Sequence, residues 1–236
     1  MSNNWFKFKQ FIIRQDKTAM KVGTDGVLLG AWADVSTCSR ILDVGTGTGL
    51  VALMLAQRSD ALIDALEINP EAALQARENV EESPWAGRIS VTCISFQDYC
   101  RSAQLPYDLI VCNPPFFSDS LKAKTSSRSL ARHSDSLAMD ELISGAKSLL
   151  SPDGHFCLIL PADKELEVTD LAAINHLYPA KILRIRPIPR KEYKRVLLDF
   201  SFSLRKVQEG EMTIESGGRH EYSREYKDLT AEYYLD

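Results

Sequence analysis

Asn113-Pro114-Pro115-Phe116 brings together the groups with which a chain could hold a planar, amine-bearing substrate: an amide that donates and accepts, a rigid carbonyl and a bare aromatic ring. The stretch follows Tyr107–Cys112, an apolar run that reads as a buried strand. A proline pair ends that strand abruptly and fixes the backbone where the chain leaves the sheet. In an open α/β sheet, ligands bind beyond the carboxyl ends of the strands. Taken alone, the same four residues also read as a strand-to-loop turn whose ring packs into the core.

A second stretch carries chemistry of its own. Asp43-Val44-Gly45-Thr46-Gly47-Thr48-Gly49 is a glycine turn between a strand and a helix, where backbone N–H groups can approach a ligand closely. Glu67 stands at the end of the next strand, where an acid can accept from ribose hydroxyls. A dinucleotide and S-adenosylmethionine both carry adenosine and would both suit this much. The spacing is G-x-G-x-G, not G-x-G-x-x-G. Asp43 would repel a pyrophosphate but could hold the amino group of a methionine moiety. Gln97-Asp98, after the third strand of the core, would fit an adenine edge. These three features favour S-adenosylmethionine.

The elements that must position these residues alternate. Strands are expected over 40–45, 62–68, 89–93, 107–112, 155–160, 182–188 and 196–204. Between them, helical periodicity follows Gly49, runs from Asn69 (a good N-cap with Pro70 at the first helical position) to about Glu82, and recurs from Met139 to Leu150 and from about Lys164 to His176. Pro152-Asp153-Gly154 predicts a turn, and Gly23-Thr24-Asp25 predicts the start of a helix carrying Val27, Leu28, Leu29 and Trp32. Such alternation predicts a parallel sheet in one domain spanning 1–236, with an N-terminal cap segment (1–39), a cofactor-binding core (40–160) and C-terminal strands and tail (161–236).

Composition sets the bounds. The 236 residues are 44% hydrophobic and 25% charged, as in soluble globular proteins, and no apolar run approaches the ~18 residues of a membrane span. The N-terminus lacks the apolar core of a signal peptide. Five scattered cysteines without a CxxC pair, and four histidines without ligand spacing, predict a cytosolic, metal-free chain with reduced, buried thiols. The net charge of -4 conceals two basic segments. Residues 181–206 hold nine Lys/Arg against two Asp/Glu, and residues 122–133 hold four Lys/Arg and no acid. Either segment suits local phosphate binding or is simply a solvated face.

Several stretches together resemble one family. They are Phe8–Phe11, Met20–Trp32 (MKVGTDGVLLGAW), Ile41–Gly49, Asn113–Phe117, Arg195–Leu198 and Tyr222–Leu235. They resemble the bacterial tRNA1(Val) (adenine(37)-N6)-methyltransferases over nearly the whole chain, from about Trp5 to Leu235. The glycine turn and NPPF are shared by many S-adenosylmethionine-dependent amino-group methyltransferases, whereas MKVGTDG and the tyrosine-rich tail are more specific. The resemblance implies an α/β fold with a Rossmann-like, seven-stranded class I methyltransferase sheet, mostly parallel with an antiparallel last strand. It implies methyl transfer to the N6 amine of adenine 37 in the anticodon loop of tRNA1(Val), by a monomer.

The implied S-adenosylmethionine site comprises Asp43, Gly45, Thr46, Gly47, Gly49, Glu67, Ile68, Asn69, Gln97 and Asp98, with Thr24 and Asp25 near the methionine end. Asn113, Pro114, Pro115 and Phe116 would hold the target base, Asn113 also bordering the cofactor. Lys122, Lys124, Arg128, Arg132 and His133, in the loop after NPPF, and Arg184, Arg186, Arg190, Lys191, Lys194 and Arg195 are candidate RNA contacts. One departure is Phe116, where relatives are expected to carry Tyr; stacking survives that change and any hydroxyl contact is lost. Guanine-N2 RNA methyltransferases share NPPF and protein-glutamine N5-methyltransferases an NPP-aromatic motif, so both stand as alternatives. An NAD-dependent oxidoreductase is a more distant one.

Overall fold

A computed structural model of the chain describes residues 3–18, 21–102, 105–115, 137–218 and 220–235. The N-terminal segment forms a small hairpin, β1 (Trp5–Lys7) with β2 (Ile12–Arg14), which leads to helix α1 (Thr24–Trp32). From there strand and helix alternate: β3 (Arg40–Val44), α2 (Leu50–Arg58), β4 (Leu62–Glu67), α3 (Pro70–Glu81), β5 (Ile89–Cys93), α4 (Phe96–Ser102), β6 (Tyr107–Cys112), α5 (Met139–Leu149), β7 (Leu150–Pro161) and α6 (Glu165–Ile174). Three strands, β8 (Tyr178–Arg186), β9 (Arg195–Ser201) and β10 (Gln208–Thr213), precede a last helix, α7 (Arg224–Thr230).

Strands β3 to β10 form one sheet in the order β10-β8-β9-β7-β6-β3-β4-β5. The run from β5 to β7 is parallel throughout, and β9 is antiparallel to both of its neighbours, β7 and β8. The seven strands expected from sequence are all present, with the seventh inserted antiparallel between the fifth and the sixth. An eighth, β10, adds to the β8 edge in parallel, Gln208 opposite Lys181 through Thr213 opposite Arg186. Its sequence, QEGEMT, has one strong apolar residue, Met212, which is its one buried side chain, so no hydrophobic run announced it.

Side chains alternate across the sheet and bury both faces. Ile41, Ile63, Leu109, Val111 and Ile159 face α1, α2 and the two chain ends, whereas Leu42, Val44, Ile110, Phe156 and Leu158 face α4, α5 and α6. The turn expected at Pro152–Gly154 is instead a bulge inside β7. Leu150 pairs with Tyr107 and His155 with Leu109, so the intervening residues bow out of the ladder. Five free cysteines are present, with Cys112 and Cys157 buried as expected but Cys93 exposed.

Helix α1 reaches the sheet's carboxyl end because it lies close against α2. A Cβ at Gly30 would sit 2.8 Å from Met54 Sδ and 2.9 Å from Met54 Cβ. The termini close over the same helix: Tyr233 OH donates to the Met54 carbonyl at 3.0 Å, and Tyr234 stacks on Phe8 with ring centroids 5.9 Å apart. The Gly30→Ala variant is expected to lose about 1–2 kcal/mol, since overpacking costs roughly 1–3 and the better helix propensity of Ala returns up to ~1. Urea unfolding will show this as a lower midpoint at unchanged slope; a raised midpoint would contradict the tight α1–α2 approach.

Candidate functional site

The site begins with strand register. β3 and β6 are hydrogen-bonded neighbours with Val44 opposite Cys112, so Gly45 and Asn113 leave the sheet side by side. The chain runs outward in both directions from this pair, to β4 and β5 on one side and to β7 on the other. This is a topological switch point, where open α/β sheets form their ligand crevice. The N-terminus of α1 closes the third side: a Cβ at Gly26 would lie 3.9 Å from Asn113 Nδ2 and 3.0 Å from Leu50 Cδ2.

The glycine turn depends on left-handed backbone. Gly45, Gly47 and Gly49 have φ of 74°, 58° and 83°, which side-chain-bearing residues adopt only with strain. The Leu66 carbonyl accepts from the Gly45 and Thr46 N–H groups at 2.9 and 2.8 Å, tying the turn to β4. Two acids hold it from either side. Asp43 Oδ2 accepts from Thr46 Oγ1 at 2.5 Å and from the Ala52 N–H at 3.2 Å. Glu67 Oε2 accepts from the Gly47 N–H at 2.9 Å, and its Oε1 from the Asn69 N–H at 2.9 Å. Asp43 is almost fully buried, and desolvation pushes its carboxyl up from 3.8 to about 6, opposed by the hydrogen bonds from Thr46 and Ala52. In front of the turn there is room: a Cβ at Gly45 or Gly47 would meet nothing within 4 Å.

The other expected site residues fall around this turn with differing engagement. Ile68 is 54% exposed beside Glu67 and offers an apolar surface. Asn69 Oδ1 is committed to capping α3 through the N–H groups of Glu71 and Ala72, at 2.9 and 3.1 Å, with Pro70 in the first turn as expected. Gln97 and Asp98 open α4. Gln97 Nε2 donates to Glu141 Oε2 at 2.9 Å, and Asp98 is exposed and accepts from Ser95 Oγ and Arg101. Thr24 and Asp25 lie in the first turn of α1 but do not cap it; Gly23 holds the N-cap position with no side-chain bond. Asn113 is half-buried and its amide makes no hydrogen bond among the described residues, while Pro114 and Pro115 follow at increasing exposure. Phe116 lies outside the described residues, as do Lys122, Lys124, Arg128, Arg132 and His133.

The six basic candidates on β8 and β9 divide sharply. Arg184 forms a two-pronged pair with Glu165 at 2.8 and 2.5 Å and a further bond to Glu209 at 2.7 Å. Arg186 pairs with Glu211 at 2.6 Å and lies over the Tyr193 ring, 4.3 Å from its centroid. Arg195 Nε donates to Asp25 Oδ2 at 2.7 Å. In the RNA-free protein these three are therefore already paired with carboxylates of neighbouring elements. Arg190, Lys191 and Lys194 are exposed, with no carboxylate partner among the described residues.

Two further residues position the site and went unread in the sequence. Asn79, 1% exposed, donates from Nδ2 to the carbonyls of Arg14 and Thr48, at 2.9 and 2.8 Å, and accepts the Arg14 N–H at 2.8 Å. Gln75, fully buried, accepts the Lys17 N–H at 3.0 Å. Together they fasten the segment before α1 to the glycine turn. The available signal was two amides spaced i, i+4 among the buried alanines of α3.

Parallel order, the inserted antiparallel strand and a glycine turn beside Asn-Pro-Pro at the switch point define a Rossmann-like class I methyltransferase. The sequence model of the Methyltransferase small domain matches residues 22–176. A tRNA1(Val) (adenine(37)-N6)-methyltransferase of Bacteroides thetaiotaomicron is 51% identical over 237 residues, and one of Bacteroides fragilis 50% over 236, each aligned over 100% of this chain and 99% of the relative. The chain belongs to the tRNA1(Val) (adenine(37)-N6)-methyltransferase family. Among solved structures, a predicted O-methyltransferase from Agrobacterium tumefaciens superposes with a TM-score of 0.69 at 23% identity, over 89% of this chain and 96% of its own. A ribosomal protein L11 methylase from Lactobacillus delbrueckii does so at 0.56 and 18% identity, over 79% and 82%; these two likenesses bear on the fold.

Burial of Asp43 has a measurable consequence. Because its folded pKa lies above the unfolded value, its contribution to stability is full below pH ~4 and is lost as pH rises through about 6. Relative to Asp43→Asn, the wild-type protein is expected to lose roughly 1–3 kcal/mol between pH 4 and 6.5 and then to level off. Denaturant unfolding of both proteins across that range checks it; parallel pH profiles would show that Asp43 does not titrate there.

Proposed function

We propose that the protein transfers a methyl group from S-adenosylmethionine to the N6 amine of adenine 37 in the anticodon loop of tRNA1(Val). The observation that carries this reading is the Asn113 amide, without a hydrogen-bond partner among the described residues, beside an open glycine turn in a chain of this family. The residues present fit the cofactor. The left-handed glycines leave a cradle that a Cβ would fill, Glu67 stands where ribose hydroxyls would lie, and Ile68 offers an apolar surface to the adenine. Asp43 and Thr46 would hold the turn from behind, with Gln97 and Asp98 bordering the adenine and Asp25 the methionine end. Bound there, S-adenosylmethionine supplies an electrophilic methyl on a sulfonium.

The chain's own part is to prepare the amine. An exocyclic adenine nitrogen is a poor nucleophile because its lone pair is delocalised into the ring. The Asn113 side-chain oxygen and the Pro114 carbonyl, the latter held by the proline pair, would accept its two hydrogens and favour a pyramidal nitrogen whose lone pair points at the methyl. Both contacts strengthen as positive charge develops on nitrogen, so they stabilise the transition state more than the ground state. Phe116 would stack on the base, a contact worth roughly 1–3 kcal/mol. The base leaves its stack to reach the strand ends, which is easiest in a loop. No side chain is required as general base, since the proton can leave to water once the nitrogen is cationic.

The Asn113→Ala variant is expected to lower kcat by about 10²-fold or more, in line with the removal of one preorganised polar contact at a reacting centre. S-adenosylhomocysteine binding should be largely kept. Nucleoside mass spectrometry of tRNA incubated with protein and S-adenosylmethionine should show N6-methyladenosine. N2-methylguanosine in its place would select the guanine enzyme, and labelling of a release factor without RNA the protein-glutamine enzyme.

A further inference from the structure

We infer that the loop joining β8 to β9, residues 187–194, is a preformed grip for the phosphates that flank the target base; the inference rests on the tRNA reading above. Arg190, Lys191 and Lys194 are all exposed, face a single acid in the loop, Glu192, and have no carboxylate partner among the described residues. They line a concavity of about 580 Å³ together with Pro187, Ile188 and Glu192, three cations against one acid. The arginines on the strand beneath, Arg184 and Arg186, are neutralised by Glu165, Glu209 and Glu211. Among the described residues from Lys181 to Arg195, the cations without a carboxylate partner are therefore those of the loop.

The loop is also held in place and rightly placed. Its base is closed by the Lys194 N–H to the Ile185 carbonyl at 2.8 Å, and Tyr193 packs over the Arg186 guanidinium. Arg190 itself sits in the left-handed region at φ 65°, a conformation that a local fold must impose on a non-glycine residue. The Ala162 N–H donates to the Lys194 carbonyl just beyond the carboxyl end of β7, so the loop rises from the sheet edge that carries Asn113. β9 stands two strands from β6, about 10 Å at ordinary strand spacing. Arg195, the first residue after the loop, binds Asp25 at the head of α1 and ties the grip to the same crevice. Cations at that distance from a flipped base meet the adjoining backbone and carry no base preference.

The test compares wild type with an R190A/K191A/K194A variant by fluorescence anisotropy of tRNA across salt, with S-adenosylhomocysteine present, alongside single-turnover methylation. The triple variant should bind tRNA at least about tenfold more weakly at low salt. Its slope of log Kd against log salt should be shallower by about 2, the loss of three single-strand phosphate contacts. Single-turnover methylation at subsaturating tRNA should fall in step with the tRNA affinity, whereas S-adenosylhomocysteine affinity should be unchanged. Arg184→Ala should lower Tm and leave the slope alone. N6-methyladenosine formation with an unchanged slope in the triple variant would overturn the grip and leave the activity standing. A loop-dependent slope without N6-methyladenosine from the wild-type protein would overturn the activity and leave the grip.

Discussion

Parallel hydrogen bonding between β3 and β6, in the register that sets Val44 against Cys112, is the contact from which the candidate site follows. It brings together two stretches far apart in the chain, a glycine turn and an Asn-Pro-Pro exit, at the point where the sheet's winding reverses. A slip of one residue would turn every side chain of the strand to the other face. Asp43 would leave its place behind the turn and Val44 would leave the α5 side of the core. The buried alternation on both faces therefore guards the geometry of the crevice as much as it guards stability.

Conformation and charge meet in the turn itself. Three glycines supply the left-handed backbone, and two acids hold it there by accepting from Thr46, Ala52 and Gly47. Holding a carboxylate almost out of water opposes its ionisation, and the raised pKa of Asp43 is the expression of that cost. The buried amides of Asn79 and Gln75 extend the same logic outward, since each meets backbone groups of the N-terminal segment that no sheet or helix satisfies.

The distribution of charge repeats this pattern at the other edge of the sheet. An acidic body draws all three arginines of β8 and β9 into ion pairs with α6, β10 and α1. Such pairs, partly exposed, contribute modestly to stability, and their larger effect is to determine which cations stay free. A net charge of -4 is thus compatible with a basic loop at one point of the surface.

The chemistry that resides in short stretches was legible in the sequence. The glycine turn, the proline-ended strand, the Asn69 cap, the succession of core strands and the acid at Glu67 all follow from local rules of propensity, capping and spacing. The whole-chain likeness supplied the antiparallel strand and the adenine target. What depended on distant partners was not legible. Nothing in the order of residues tells that Arg195 meets Asp25, or that Arg184 meets Glu165 and Glu209, because such pairs are chosen only when strands and helices dock. β10 was invisible for the same reason: a polar segment becomes a strand only where an open edge offers it hydrogen bonds. The sequence alone determined which groups could do chemistry, since that is a property of residue type and short spacing. The tertiary structure decided which of them are free to act, since freedom is set by what packs against each group.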